Sequence, residues 1–179
     1  MRVIGGKARG LKLVAPQGLA TRPTPDRVRE ALFNIIADHI PGARFLDLFA
    51  GTGANGIEAL SRGAAHSTFI DRSTKSIQAI ELNLERTGFA DRADVHRLAL
   101  PCGLAGLKAA GYDVVFLDPP YAFEDIESLL RSIVDAKLLT GEGIAVLEHA
   151  FRKTPPSEVE TLRMFRRNHY GDTALSFFA

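Results

Sequence analysis

The residues best suited to chemistry are Asp118-Pro119-Pro120-Tyr121, which follow directly on the apolar run Tyr112-Asp-Val-Val-Phe-Leu117. Two consecutive prolines can neither continue a strand inside a sheet nor enter a helix interior, so the chain must leave the run along a stiff path. That path fixes two acceptors, the Asp118 carboxylate and the Pro119 carbonyl. An exocyclic amine on a nucleic-acid base has two N–H donors and a lone pair delocalised into its ring. Holding both donors lets the nitrogen pyramidalise and frees the lone pair for in-line attack on a methyl group. The same acceptors then stabilise the charge that develops on nitrogen. Tyr121 adds an aromatic face on which an unstacked base can rest. The plainer alternative is a strand-terminating turn with a core tyrosine, and the rest of the sequence weighs against it.

A second constellation is Asp47-Leu-Phe-Ala-Gly51-Thr-Gly53-Ala-Asn-Gly56, which closes another apolar run. Gly51 and Gly53 suit a tight turn and close approach to a ligand, and Gly56 suits a helix packed near the strand. The spacing alone fits a dinucleotide, a methyl donor or a structural turn. Asp47 separates the two ligands. A carboxylate at the strand end repels a pyrophosphate, whereas it attracts the sulfonium and ammonium groups of S-adenosylmethionine. Asp71 ends the run Ser67-Thr-Phe-Ile-Asp71, 20 residues after Gly51. A carboxylate there can accept both hydroxyls of a ribose. Capping of the next helix is the simpler role, and Ser73 competes for it.

Other chemistries find little support. Five scattered histidines at positions 39, 66, 96, 149 and 169 have no metal-ligand spacing, so no metal is expected. There is neither a Gly-x-Ser-x-Gly elbow nor a Gly-Lys-Ser/Thr loop. Glu148-His149 could line a substrate pocket or be ordinary loop polarity. Cys102 is the single cysteine, which removes any disulfide framework. No apolar run is long enough to span a bilayer and no secretory leader opens the chain, so a cytoplasmic protein is expected.

These residues need a scaffold, and the hydrophobic pattern supplies one. At 179 residues, 46% hydrophobic and 24% charged, the chain can bury one domain's core. Apolar runs at 44–49, 67–71, 93–100, 112–118 and 143–149 read as strands. Helical spacing at 25–39, 55–62, 73–86 and 124–137 places helices before and between them. Near-continuous apolar strands separated by helices predict an α/β fold with a parallel sheet covered on both faces. Residues 162–178 hold two strand-like runs around Tyr170-Gly171-Asp172, which predicts a terminal antiparallel hairpin. Residues 1–14 read as a short β-hairpin.

The net charge of +1 hides an asymmetry. Residues 1–30 hold seven basic side chains against Asp26 and Glu30, a net of +5, which leaves −4 for the rest. We assign residues 1–22 to a basic extension, with Arg2, Lys7, Arg9, Lys12 and Arg22 as candidate phosphate contacts, and residues 23–179 to the main domain.

Taken together the chain resembles the ribosomal small subunit methyltransferase D family, enzymes that methylate guanine N2 in 16S rRNA. The resemblance runs from Arg2-Val-Ile-Gly-Gly and Arg9-Gly through Arg22-Pro-Thr and Arg27-Val-Arg-Glu-Ala-Leu-Phe-Asn34. It continues over the glycine loop, Asp71-Arg72, Leu117-Asp-Pro-Pro-Tyr121 and Tyr170-Gly171. It implies a Rossmann-like, seven-stranded methyltransferase sheet, S-adenosylmethionine as donor, and a target guanine in the 30S subunit. A monomer is expected. It further implies donor contacts from Phe49, Ala50, Gly51, Gly53 and Arg72, with Asp71 as the ribose acceptor. Asp118, Pro119 and Tyr121 would hold the target amine. Leu98-Ala99 stands where such enzymes usually offer the adenine an Asp or Asn, so backbone groups and packing must serve. Asn55 stands where an apolar residue is common.

Three other readings differ in class. A DNA amino-methyltransferase would use the same Asp-Pro-Pro-Tyr motif, but the chain leaves no room for a separate target-recognition domain. A ribosome assembly factor without chemistry would have no use for Asp118 and Tyr121. A nucleotide-dependent oxidoreductase is disfavoured by Asp47.

Overall fold

The computed structural model describes residues 1–16, 26–107 and 111–179. Its centre is a sheet of strands β1 (Arg44–Leu48), β2 (His66–Asp71), β3 (Ala93–Arg97), β4 (Tyr112–Leu117) and β5 (Leu139–Ala150). Strands β6 (Glu158–Val159), β7 (Leu162–Tyr170) and β8 (Thr173–Phe178) extend it in the order β3-β2-β1-β4-β5-β8-β7-β6. The pairs among β1 to β5 are parallel, and β8 and β7 run antiparallel. The order reverses between β1 and β4, so their carboxyl ends open the crevice where such sheets bind ligands.

Helices α1 (Asp26–Ile35), α2 (Ala54–Ser61), α3 (Thr74–Thr87) and α4 (Ile126–Asp135) cover the sheet. Alternation along the strands sends Phe45, Val114, Phe116 and Phe177 to one face, against Val28, Leu32 and Phe33 of α1. Leu46, Leu48, Val115 and Leu117 meet Leu129, Leu130 and Ile133 of α4 on the other. Gly56 sits under the sheet as its spacing required: a Cβ there would lie 2.2 Å from the Phe69 ring. Ser73 caps α3 by accepting the Ser76 amide, and Gly88 ends it with φ of 72°.

The observed elements match the expected ones to within a few residues, with three differences. The sheet has eight strands rather than seven, because the two residues of β6 pair with Arg163 and Leu162. Of the helix expected over 25–39, residue 25 lies outside the described residues, and the rest does not form one helix, since α1 stops at Ile35 and a 3₁₀ turn follows over Ala37–His39. β5 begins four residues early, where the register against β4 shifts between Tyr112 and Val114.

Residues 1–14 form a minimal hairpin, with one bridge between Arg2 and Lys12. It is built into the domain. Val3, Ala8 and Leu13 are buried with Ile57, Leu60, Phe69 and Ile80. Glu58 of α2, fully buried, accepts the amides of Ile4 at 2.7 Å and Gly5 at 2.8 Å. Ser61 Oγ accepts the Ala8 amide at 2.9 Å, and Asn83 exchanges hydrogen bonds with the Val14 backbone. A carboxylate out of water needs such donors together with counter-charge, which Arg62 at 2.7 Å and Arg29 at 3.9 Å provide. Arg2, Lys7, Arg9 and Lys12 nevertheless point to solvent. Arg22 lies outside the described residues.

Candidate active site

Above the carboxyl ends of β1, β2 and β4 lies a cavity of about 580 Å³. That is within the range that holds a cofactor-sized ligand. Its floor is the loop after β1. Phe49 turns the chain with φ of 62° and Gly51 with φ of 57°. A positive φ is costly for phenylalanine and marks a position that the surroundings hold in place. Gly53, with φ of 76°, precedes the first turn of α2.

Asp71 organises the adjoining wall. One carboxylate oxygen accepts the Gly51 amide at 2.9 Å and the other the Ser73 amide at 2.8 Å. Each oxygen keeps a further lone pair, so the acid can position the loop and still accept a hydroxyl. Both the capping role and the ribose role are open to it in this geometry. Arg72, Ser73, Ser76, Leu98 and Leu100 continue the wall.

The opposite wall is Asp118, Pro119, Pro120 and Tyr121. Pro119 is buried and Tyr121 is half exposed at 50%. The Pro120 carbonyl accepts the Phe123 amide at 2.7 Å, which makes a tight turn of the segment. Among the described residues no hydrogen bond reaches the Pro119 carbonyl. Lys153 Nζ donates to the Tyr121 carbonyl at 2.7 Å and pins the turn from outside. Phe123 meets the Phe49 ring edge-on, with centroids 5.7 Å apart, and so joins the two walls.

Of the residues singled out from the sequence, Phe49, Ala50, Gly51, Asp71, Arg72, Leu98, Asp118, Pro119 and Tyr121 line this one cavity. Gly53, Ala99 and Asp47 do not. Gly53 acts through the turn, where a Cβ would lie 3.2 Å from Ile80. Ala99 is exposed, and its carbonyl accepts the Gly103 amide. The Leu98 amide is bound to the Asp71 carbonyl.

Asp47 requires a correction. It is 1% exposed and accepts the Gly56 amide at 2.9 Å, so it holds the glycine loop to α2. Burial pushes its carboxyl up to about 8, against the lowering effect of the Gly56 amide, and the Asp71 charge adds to the rise. Protonated at neutral pH, and not among the residues lining the cavity, it carries no charge with which to attract a cation. Carboxylates at the cavity come instead from Asp71, Asp118 and Glu148, against the cations Arg29 and Arg72. That set still disfavours a pyrophosphate beside the loop.

The sequence reading missed several lining residues. Glu148 was left undecided; it is buried and lines the cavity. Its neighbour His149 does not line this cavity but the adjoining groove on the α4 side, with Glu124, Asp125 and Glu127. A carbonyl only accepts, so His149 Nδ1 donates to the Ala150 carbonyl at 2.9 Å and Nε2 accepts from Ser176 Oγ. Burial holds it neutral by lowering its pKa. Arg29, though fully buried, also lines the cavity, with Nη2 donating to the Arg2 carbonyl at 2.6 Å and to Asp26 at 2.9 Å. Met1, Thr52 and Asn55 close the same end. Only the position of Arg29 in Arg27-Val-Arg-Glu hinted at this, since helical spacing had placed Val28 and Leu32 inward beside it. Among the described residues no cluster of three or more potential ligands could hold a metal ion.

A mostly parallel sheet with an antiparallel carboxyl-terminal hairpin and a cavity at its switch point is the Rossmann-like fold of the methyltransferases. The chain belongs to the family described as Conserved hypothetical protein 95, whose model matches residues 1–179. It is 41% identical to YlbH of Bacillus subtilis over 99% of this chain and 98% of that protein. It is 34% identical to the Ribosomal RNA small subunit methyltransferase D of Escherichia coli K12, over 99% of this chain and 89% of that one. Among solved structures, yhhF from Escherichia coli superposes with a TM-score of 0.87 at 35% identity. The match covers 99% of this chain and 96% of that one.

Proposed function

We propose that the protein transfers the methyl group of S-adenosylmethionine to the exocyclic N2 amine of a guanine in 16S rRNA of the small ribosomal subunit. One observation carries this reading: Asp118, Pro119 and Tyr121 share a single cavity with the glycine loop and Asp71. A donor on the Asp71 side and an amine on the Asp118 side would then meet across it.

The bound donor supplies an electrophilic methyl on a sulfonium. Asp71 accepts its ribose hydroxyls, while Phe49, Ala50 and Gly51 shape the loop beneath it. The Asp118 carboxylate and the Pro119 carbonyl accept the two N–H groups of the target amine. The N–C bond forms as the C–S bond breaks, and the electron pair stays on sulfur. The Asp118 carboxylate stabilises the cationic nitrogen and takes its surplus proton. Tyr121 stacks on the guanine ring. Arg2, Lys7, Arg9 and Lys12, with Arg22, contact RNA phosphates.

The rRNA target is favoured over a DNA amine by near full-length similarity to an enzyme named for ribosomal RNA. The protein is proposed to act in the cytoplasm as a monomer. No described helix is long and apolar enough to cross a membrane. Incubation of the purified protein with methyl-labelled donor and 16S rRNA, free or within 30S subunits from cells lacking the protein, tests the reading. Label in the 16S rRNA is expected; label in DNA alone, or in neither, overturns it.

A further inference from the structure

We propose that a second RNA-contact surface lies beside the target pocket at the carboxyl end of β7. There Phe151, His169, Arg152, Lys153 and Arg167 receive the single-stranded RNA flanking the target nucleotide. The inference rests on the RNA-methylation reading above and adds a surface to it.

The sheet register places these residues. Thr173 of β8 lies opposite both Ala150 of β5 and Tyr170 of β7, so all three strands end at one level. That level is the carboxyl end of β5, where Glu148 lines the cavity. The connection is physical: Lys153 Nζ donates to the Tyr121 carbonyl at 2.7 Å, and Arg167 Nη2 donates to the Phe151 carbonyl at 2.8 Å. Tyr121 is thus tied to the base of this surface.

Its chemistry suits an unpaired strand. Phe151 is 43% exposed, and its ring packs on His169 with centroids 4.8 Å apart. Arg167 lies over the same ring at 5.5 Å. Exposed rings bind bases through their faces whatever the sequence, and neighbouring cations hold the backbone. Carbonyl partners orient Lys153 and Arg167 without neutralising them. Among the described residues neither these two nor Arg152 forms an ion pair, whereas Arg131 and Arg163, toward the other end of β7, are paired with glutamates.

Charge also sets the direction of the strand. The groove on the α4 side of Lys153 is lined by Glu124, Asp125 and Glu127, which repel phosphate. A strand leaving Tyr121 therefore passes over Phe151 and not along α4. The basic hairpin packs on α2 and α3, on the other side of β4, so the target pocket lies between two cationic surfaces.

The test is a salt titration of binding to 16S rRNA, free and within 30S subunits from cells lacking the protein. R152Q/R167Q should flatten the log–log slope by ~1.4, the value for two single-strand phosphate contacts. F151L should weaken binding at every salt concentration with the slope unchanged. R152K/R167K should restore the wild-type slope, and its failure to do so would assign the loss to structure and refute the surface. S-Adenosylhomocysteine affinity should be unaltered in all three. A wild-type slope in R152Q/R167Q, when K7Q/R9Q/K12Q does flatten it, would sink this surface and leave the methylation reading standing. Wild-type protein that binds no RNA would sink that reading itself, and the surface with it.

Discussion

The Asp71 carboxylate accepts the Gly51 amide at 2.9 Å, so the acid that ends β2 also fixes the turn that ends β1. Two neighbouring strands thereby set one half of the cavity before any ligand arrives. Pre-setting a loop lowers the ordering cost of binding.

Asp71→Ala should therefore weaken S-adenosylhomocysteine by about 1.5–3 kcal/mol, the range for a hydrogen bond to a charged group. The melting temperature should fall as well, because the Gly51 and Ser73 amides lose their acceptor. Calorimetry that finds wild-type affinity would place the ribose acceptor elsewhere.

Asp118→Ala should separate chemistry from donor binding. Turnover should drop by about two to three orders of magnitude, as for loss of one preorganised transition-state contact, while donor affinity stays near wild type. Equal losses in both would make Asp118 a binding residue. Tyr121→Ala should weaken the hold on the base by ~1–3 kcal/mol, and Tyr121→Phe should be mild. Damage from Phe equal to that from Ala would assign the role to the hydroxyl.

Much of this was legible in the sequence because buried strands declare themselves. Residues 44–48, 66–71 and 112–117 are almost wholly enclosed, and continuous burial demands continuous apolarity. The glycine loop, Asp71 and the Asp-Pro-Pro-Tyr turn all fall at strand ends, which is where an α/β sheet puts its ligands. Legibility failed where a side chain's partner leaves no mark in the hydrophobic pattern. Asp47 reads as an acid at the rim, yet its side chain points down to Gly56. Glu58 looks like a solvent-facing helical residue, yet it is the anchor of residues 4 and 5. The two residues of β6 carry too little pattern to be seen at all.

Glu58 supports a prediction about the hairpin. Glu58→Ala removes the acceptor of the Ile4 and Gly5 amides and leaves Arg29 and Arg62 without their buried carboxylate. A broken buried pair costs about 3–5 kcal/mol, so the urea midpoint should fall steeply. Deleting residues 1–14 should likewise cost stability, since Val3, Ala8 and Leu13 leave the core. Charge-neutralising changes at Lys7, Arg9 and Lys12 avoid that loss. A Glu58→Ala protein within 1 kcal/mol of wild type, on the ~1 kcal/mol scale of one net hydrogen bond, would show that the hairpin is only loosely attached.

Asp47 predicts a pH dependence. Its folded carboxyl titrates near 8, well above its ordinary value of 3.8. Between these values the folded state holds a proton that the unfolded state releases, so this group makes stability fall as pH rises from about 4 to 8. Asp47→Asn keeps an acceptor for the Gly56 amide and removes the ionisation. The variant should gain on wild type in melting temperature as pH is raised through that window. A melting-temperature difference between the two proteins that stays flat over the same range would mean that Asp47 is ionised in the fold.

The central claim is methyl transfer to guanine N2 in 16S rRNA, and nucleoside mass spectrometry of that RNA tests it most directly. Cells lacking the protein should lose one N2-methylguanosine per 16S molecule. The wild-type gene should restore it and an Asp118→Ala gene should not. An unchanged N2-methylguanosine content on loss of the protein, or full restoration by the Asp118→Ala variant, would contradict the account.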